Sequence, residues 1–236
     1  MIEKVNERLK TVRNWLLPGS CLLCAARVQY GQDLCAACEQ SLPRPAHACP
    51  HCAAAITSAL SNSSCGECQQ RPPAYAYARA VFTYASPVDR LVQALKYHNR
   101  LEHSRVLGNY LSACINALDD PRPDVIVPVP LHPSRLRVRG YNQSLELARG
   151  AARRFGIPHD YQHTRRVRAT RPQMELPRDQ RKKNVRGAFE ADAVFAGQRV
   201  AIVDDVMTSG HTVNALSECL LTAGAEAVVV WVLARA

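Results

Sequence analysis

The sequence predicts an α/β domain with a mostly parallel sheet, preceded by a small cysteine-rich module that needs metal to fold. Two short apolar runs of β-formers, residues 125–129 and 200–203, each lead through a loop into a helical pattern. Strands that alternate with helices in this way build parallel sheets. Eight of the ten cysteines crowd into four Cys-x-x-Cys pairs between Cys21 and Cys68. The length, 236 residues, suffices for one such domain and a small appendage.

At the N-terminus, Ile2, Val5, Leu9, Val12 and Leu16 fall at helical spacing, so residues 1–17 read as a short amphipathic helix packed on the protein's own body. Glu3 and Glu7 interrupt it, and it lacks the continuous apolar core of a secretory signal. No run approaches the roughly 18 apolar residues of a membrane span.

Residues 18–72 form the cysteine module. Its pairs are Cys21/Cys24, Cys35/Cys38, Cys49/Cys52 and Cys65/Cys68, with ten, ten and twelve residues between successive pairs. Each pair is a knuckle whose two thiolates can face one cation, so four pairs supply two tetrahedral structural zinc sites. Consecutive knuckles pair most simply, although spacing also permits the outer knuckles to pair. A reducing, cytoplasmic setting argues against disulfides, and one redox motif would need one pair, not four. The module is too small to bury its own core, and metal binding would supply its folding energy. Cys114 and Cys219 sit alone in apolar helical patterns and read as small core residues.

Residues 73–236 form the α/β domain. Residues 74–84 alternate small and large side chains with the period of a strand; 88–97 and 101–118 carry helical periodicity. The buried run 125–129 is followed by a loop with prolines at 128, 130 and 133, and then by a helix over 141–155 ending at Gly156. A basic, proline-containing segment follows; within it 165–176 reads as a mobile loop that could close over a ligand. The chain ends with the strand at Val200, a helix from Val213 to Gly224, and a strand at 227–233.

The run Val200-Ala-Ile-Val-Asp-Asp-Val-Met-Thr-Ser-Gly-His-Thr212 carries the strongest chemical signal. An apolar strand ends at two carboxylates, Asp204 and Asp205, then a turn of small hydroxyl residues enters a helix. Backbone N–H groups there, with the hydroxyls of Thr208, Ser209 and Thr212 and the turn at Gly210, can wrap a phosphate monoester. The two acids can accept hydrogen bonds from sugar hydroxyls nearby. In this pattern the run resembles the phosphoribosyl pyrophosphate (PRPP) motif of type I phosphoribosyltransferases. His211 occupies a position that is variable in that motif; it is counted with the phosphate loop and given no catalytic role.

Two further segments belong to the expected site. The proline-stiffened loop after 128 carries Arg135, Arg137 and Arg139, whose forked guanidinium groups suit a pyrophosphate. Spacing does not choose among them, and generic surface arginines remain the alternative. Arg168, Thr170 and Gln173 lie on the closing loop.

Charge is uneven. Residues 132–187 hold fifteen Arg and Lys against four acids, a net +11, in a chain of net +10. One PRPP molecule needs only a few positive contacts, so the surplus fits a longer polyanion such as single-stranded DNA, with Arg181, Lys182, Lys183 and Arg186 as candidate contacts. A solvated basic surface is the alternative.

In order, the four knuckles, Leu95-Lys96-Tyr97, Val-Pro-Val-Pro-Leu-His-Pro at 127–133, Arg-Gly-Tyr-Asn-Gln at 139–143, Arg-x-Arg-x-Thr-x-x-Gln at 166–173 and the Asp-Asp run resemble the ComF family, including its GntX-type members. The resemblance implies a double zinc ribbon joined to a type I phosphoribosyltransferase-like fold. It further implies PRPP with Mg²⁺ as ligand, a cytoplasmic bacterial setting, and a link to competence or the use of DNA as nutrient, with DNA-processing proteins as partners. No established reaction comes with it. The sequence contains no glutaminase domain, and Ile2 rather than cysteine follows Met1, so glutamine-dependent chemistry is not expected.

Overall fold

The computed structural model describes residues 19–56, 64–97, 101–117, 120–169 and 184–236. The helix expected over 1–17 lies outside them, as do Thr170, Gln173, Arg181, Lys182 and Lys183.

The cysteine segment contains little regular structure. β1 (Gly19–Ser20) pairs antiparallel with β2 (Arg27–Val28), and two single-turn helices follow, α1 (Ala36–Gln40) and α2 (Gly66–Gln70). Its knuckle turns force Ala25 and Ala53 to positive φ, the next residue after Cys24 and Cys52 respectively.

The α/β part begins with β3 (Tyr77–Thr83), α3 (Val88–Tyr97) and α4 (Leu101–Asn116). β4 (Val125–Pro128), α5 (Pro133–Arg139) and α6 (Gln143–Phe155) follow. A hairpin of β5 (Thr164–Arg166) and β6 (Phe189–Ala191) precedes β7 (Arg199–Met207), α7 (His211–Thr222) and β8 (Ala227–Arg235). The main sheet is wholly parallel, in the order β3-β8-β7-β4.

Period-two alternation divides the central strands between two cores. Ala201, Val203, Val229, Trp231 and Leu233 face α4 and α6, meeting Leu107, Leu111, Leu147 and Ala151. Val200, Ile202, Val228, Val230 and Val232 face α7, meeting Val213, Leu216 and Leu220. Burial on both faces explains why these strands read as continuous apolar runs.

The two helices on the first face approach closely through glycines. A Cβ built on Gly150 would stand 3.6 Å from Gly108 Cα, an ordinary contact. Gly150→Ala should therefore hold or raise stability, because alanine gains about 1 kcal/mol over glycine inside a helix. Gly150→Leu extends further atoms into the opposing backbone and should cost about 1–3 kcal/mol by overpacking. Urea midpoints of the two variants check the pair.

The cysteine segment leans on the α/β domain along β3. Ala78 N–H donates to the His51 carbonyl and Thr83 N–H to that of Pro43, both at 2.8 Å. Tyr110 Oη donates to Glu39 at 3.1 Å, and Arg105 pairs with Asp33. The module thus covers an edge strand that would otherwise present open backbone groups.

Three differences from the sequence reading bear on the site. The proline loop contains a helix, α5, which starts on Pro133 with the His132 side chain accepting from Ser134 N–H and stops at left-handed Gly140. The last central strand runs on through Met207, so Asp204 and Asp205 lie inside it rather than beyond its end. The β5–β6 hairpin, only three residues a strand, is too short to show periodicity.

Candidate functional site

In an open parallel sheet, ligands sit beyond the carboxyl ends of the strands. Here the neighbours β4 and β7 deliver their following loops to one cleft of about 360 Å³. Its walls bring together Asp204, Asp205, residues 208–212, Arg135 and Arg139, which were expected, and Lys96, Ser144 and Arg166, which were not singled out.

The acid pair forms the floor. Asp204 and Asp205 are 8% and 3% exposed, so they are core groups held by directed contacts. Asp204 Oδ1 accepts from Ser144 Oγ at 2.8 Å and from the Asp205 amide at 2.9 Å. Asp205 Oδ1 accepts from the Val206 amide at 2.7 Å, and its Oδ2 pairs with Lys96 Nζ at 2.9 Å. Burial, and then the neighbouring Asp205 charge, push Asp204 up to about 7, with Ser144 and Lys96 pulling the other way. Burial also works against the Lys96 ammonium, yet Asp205 and Asp204 hold its pKa above the ordinary lysine value.

Ser144 is aimed by the start of α6. The Asn142 side chain caps that helix by accepting from Ser144 N–H, and its amide donates to the Val129 carbonyl at 3.0 Å. This ties the helix to the loop leaving β4. Arg166, at the end of β5, is 8% exposed and lies over the Phe189 ring at 5.3 Å. Burial, and then repulsion from Arg135, lower its pKa to about 10, with Asp204 pulling the other way.

The turn of residues 208–210 lies between β7 and α7. Gly210 is the N-cap, at φ +74°, where a side chain would be strained and would stand 3.5 Å from Tyr75 Oη. The N-cap Gly210 contributes no side-chain cap hydrogen bond, and the helix N-terminus opens at this turn. From behind, Arg235 supports the loop: its guanidinium donates to the carbonyls of Met207, Thr208 and, at 3.0 Å, Cys52. Asn214 Oδ1 accepts from Ala74 N–H at 2.8 Å. The turn after β7 is therefore braced against a cysteine knuckle.

The sulfurs form two clusters, Cys21, Cys24, Cys35, Cys38 and Cys49, Cys52, Cys65, Cys68, with the four sulfurs of each within 4.8 Å of one another. Successive knuckles share a site. At Cys21 burial opposes ionisation, but backbone N–H groups of Cys35, Cys24 and Leu23 outweigh it and hold the thiol at about 6. Cys49 is likewise lowered to about 6, against burial, by the amides of Cys65, Cys52 and His51. Cys38 is pushed up to about 12 by the sulfurs of Cys24 and Cys35. Four sulfurs crowded in this way favour a cation over four protons, and the donor set suits zinc.

Other expected residues lie elsewhere. Arg137 and Arg168 do not line the cleft, and Arg168 donates to the Arg186 carbonyl. The basic segment is also less bare than its count: Arg165 pairs with Asp192 at 2.8 Å and Arg149 with Glu146 at 2.7 Å. Tyr161, beside Arg149, and Val138 on α5 are exposed, at 47% and 90%. Among the described residues, no helix is long and apolar enough to cross a membrane.

Comparison with known proteins matches a double zinc ribbon domain over residues 12–69 and a phosphoribosyl transferase domain over 141–236. The DNA utilization protein YhgH of Escherichia coli K12 is 35% identical, covering 93% of this chain and 98% of that one. Competence protein F of Haemophilus influenzae is 30% identical, over 92% and 96%. Among solved structures, the glutamine PRPP amidotransferase of B. subtilis aligns with TM-score 0.38 and 26% identity, over 55% of this chain and 25% of that one. Over nearly its whole length, then, the chain belongs to the ComF family, the group that holds these DNA utilization and competence proteins.

Proposed function

We propose that this protein binds PRPP with Mg²⁺ at the cleft between β4 and β7, and handles single-stranded DNA during its uptake or use in the cytoplasm. One observation carries the reading: two buried carboxylates, a hydroxyl-lined helix N-terminus and four cationic side chains converge on one small cleft. Asp204 and Asp205 would accept from the ribose 2′- and 3′-hydroxyls, and residues 208–212 would hold the 5-phosphate. Arg135, Arg139 and Arg166 would meet the pyrophosphate, with Thr170 and Gln173, outside the described residues, as further candidates.

Among the described residues the acid pair gains no third histidine, cysteine or carboxylate ligand, and Asp205 already carries Lys96, so Mg²⁺ fits as an ion borne by the ligand's own oxygens. When bound, it neutralises charge on the pyrophosphate. In the cysteine module, residues 18–72, each set of four thiolates would hold one zinc ion, with 73–236 as the phosphoribosyltransferase-like domain.

A second reading makes the protein an active phosphoribosyltransferase of nucleotide metabolism or salvage. The cationic wall favours it: pyrophosphate leaving C1 of the ribose gains negative charge beside Arg166, which is buried enough to act at full strength. The acceptor is not identified.

For the DNA half, an exposed Tyr161 with the Arg149 guanidinium 6.0 Å from its ring provides a stacking surface beside positive charge. Replacing Lys182, Lys183 and Arg186 together with Glu should weaken oligonucleotide binding irrespective of sequence. It should also flatten the dependence of log K on log salt by about 0.7 per lost phosphate contact. Fluorescence anisotropy across a salt series reads both; no oligonucleotide binding at low salt would return the weight to the transferase.

A further inference from the structure

Lys96 is a buried cation to which the proposed PRPP site gives no role. It stands in the last turn of α3, on the wall of the cleft, with its side chain 14% exposed and its ammonium 2.9 Å from Asp205 Oδ2. The same carboxylate is the one assigned to a ribose hydroxyl. Its other oxygen already accepts from the Val206 amide.

Two demands therefore meet on Asp205. A carboxylate oxygen has room for a second donor, but a hydroxyl that takes Oδ2 in line must draw the ammonium aside or share with it. A buried ammonium parted from its acid is costly unless another anion replaces the carboxylate. Around it the charged groups of the cleft are Asp204 on β7, Arg166 on β5, and Arg135 and Arg139 on α5, with Tyr84 beyond the end of β3. Of these only Asp204 is an acid, and it already accepts from Ser144 and the Asp205 amide. The anion that can replace the carboxylate is the incoming diphosphate. Lysine suits such an exchange better than arginine, because its charge is compact and its stem has four rotatable carbons.

We propose that Lys96 is a ligand-binding residue: its ammonium holds Asp205 in place before binding and turns to the diphosphate oxygens of PRPP when the ribose hydroxyls take the carboxylate. This rests on the PRPP reading and deepens it. The acid pair and Lys96 then act as a matched set, in which hydroxyls and diphosphate must arrive together. Ribose 5-phosphate, which lacks the diphosphate, leaves the ammonium without its second partner.

Calorimetry with three probes tests the assignment: PRPP–Mg²⁺, inorganic pyrophosphate–Mg²⁺ and ribose 5-phosphate, each against the full zinc-loaded chain. Lys96→Met removes the ammonium; Lys96→Gln also removes the charge but keeps an N–H donor for Asp205, and so serves if the Met variant does not fold. Both should bind PRPP at least about tenfold more weakly, a change of about 1.4 kcal/mol, and should lose less for pyrophosphate alone, which brings no hydroxyls to free the ammonium from Asp205. Both should bind ribose 5-phosphate as well as the unaltered protein or better, and Lys96→Arg should recover part of the PRPP affinity. Equal losses for ribose 5-phosphate and PRPP in the Gln variant would overturn the assignment and leave Lys96 a support for Asp205. Unchanged PRPP affinity would overturn it as well. If the unaltered protein binds neither PRPP nor ribose 5-phosphate, the PRPP reading itself falls, a result separable from failure of the lysine alone.

Discussion

Asp204→Asn should weaken PRPP binding strongly while the protein stays folded and keeps its zinc. Hydrogen bonds to a charged acceptor are worth about 1.5–3 kcal/mol each, so losing the charge under the ribose hydroxyls should weaken binding by about ten- to hundredfold or more. The fold should tolerate this change, because Asn Oδ1 can still accept from Ser144 and the Asp205 amide, which now meet Asp204. Asp205→Asn is a different case. It strands the buried Lys96 ammonium, and breaking a buried ion pair from one side costs about 3–5 kcal/mol. The double variant should therefore lose stability as well as binding, which a view of these acids as strand-end surface groups would not foresee.

The pH dependence has a definite sign. Burial raises Asp204 to about 7, above its ordinary value, so between roughly 4 and 7 the native state holds a proton that the unfolded chain releases. Its contribution to stability is full below the unfolded pKa and is lost as pH rises through about 7. PRPP binding runs the other way, because the hydroxyls need the ionised carboxylate, and affinity should fall as pH drops below about 7. Asp204→Asn should remove this part of the stability slope, which thermal melts at about pH 5.5 and 8, on either side of that pKa, will register.

Zinc removal should have the largest effect on structure. Binding supplies about 10–16 kcal/mol in isolated zinc-finger peptides, and the cysteine segment has almost no core of its own beyond what it leans on. Elemental analysis should give two zinc ions per chain in protein purified without chelator; less than one would refute the metal assignment. The two sites should differ in reach. The Cys21 set lies by Glu39 and Tyr110, whereas Cys52 of the second set is joined through Arg235 to the carbonyls of Met207 and Thr208. Cys68→Ser should therefore lower PRPP affinity, and Cys38→Ser should leave it much nearer the unaltered value, with one zinc lost in each. Equal PRPP affinity in both variants would show that the brace does not position the loop.

Much of this was legible in the chain because the signals were local. Knuckle spacing needs only its own few residues, and the Val200 strand, acid pair and hydroxyl turn are contiguous. What was not legible came from residues far apart in sequence. Lys96 reaches Asp205 across more than a hundred residues, and Ser144 reaches Asp204 across sixty. Nothing in the spacing of either residue announces the contact, although Lys96 stood in a motif that the family resemblance had already picked out. Arg166 belonged to such a motif too, but its burial over Phe189 depends on a hairpin closed between residues 164 and 191. The choice among Arg135, Arg137 and Arg139 needed a helix: residues 135 and 139 share one face of α5, and 137 lies on another.

Titration calorimetry of the zinc-loaded chain with PRPP–Mg²⁺ tests the central claim most directly. A saturable heat for one ligand per chain, shifted at least about tenfold to weaker affinity in Asp204→Asn and weakened by competing pyrophosphate, is the predicted result. Protein that carries two zinc ions and melts cooperatively, yet gives no saturable heat at millimolar PRPP–Mg²⁺, would contradict it.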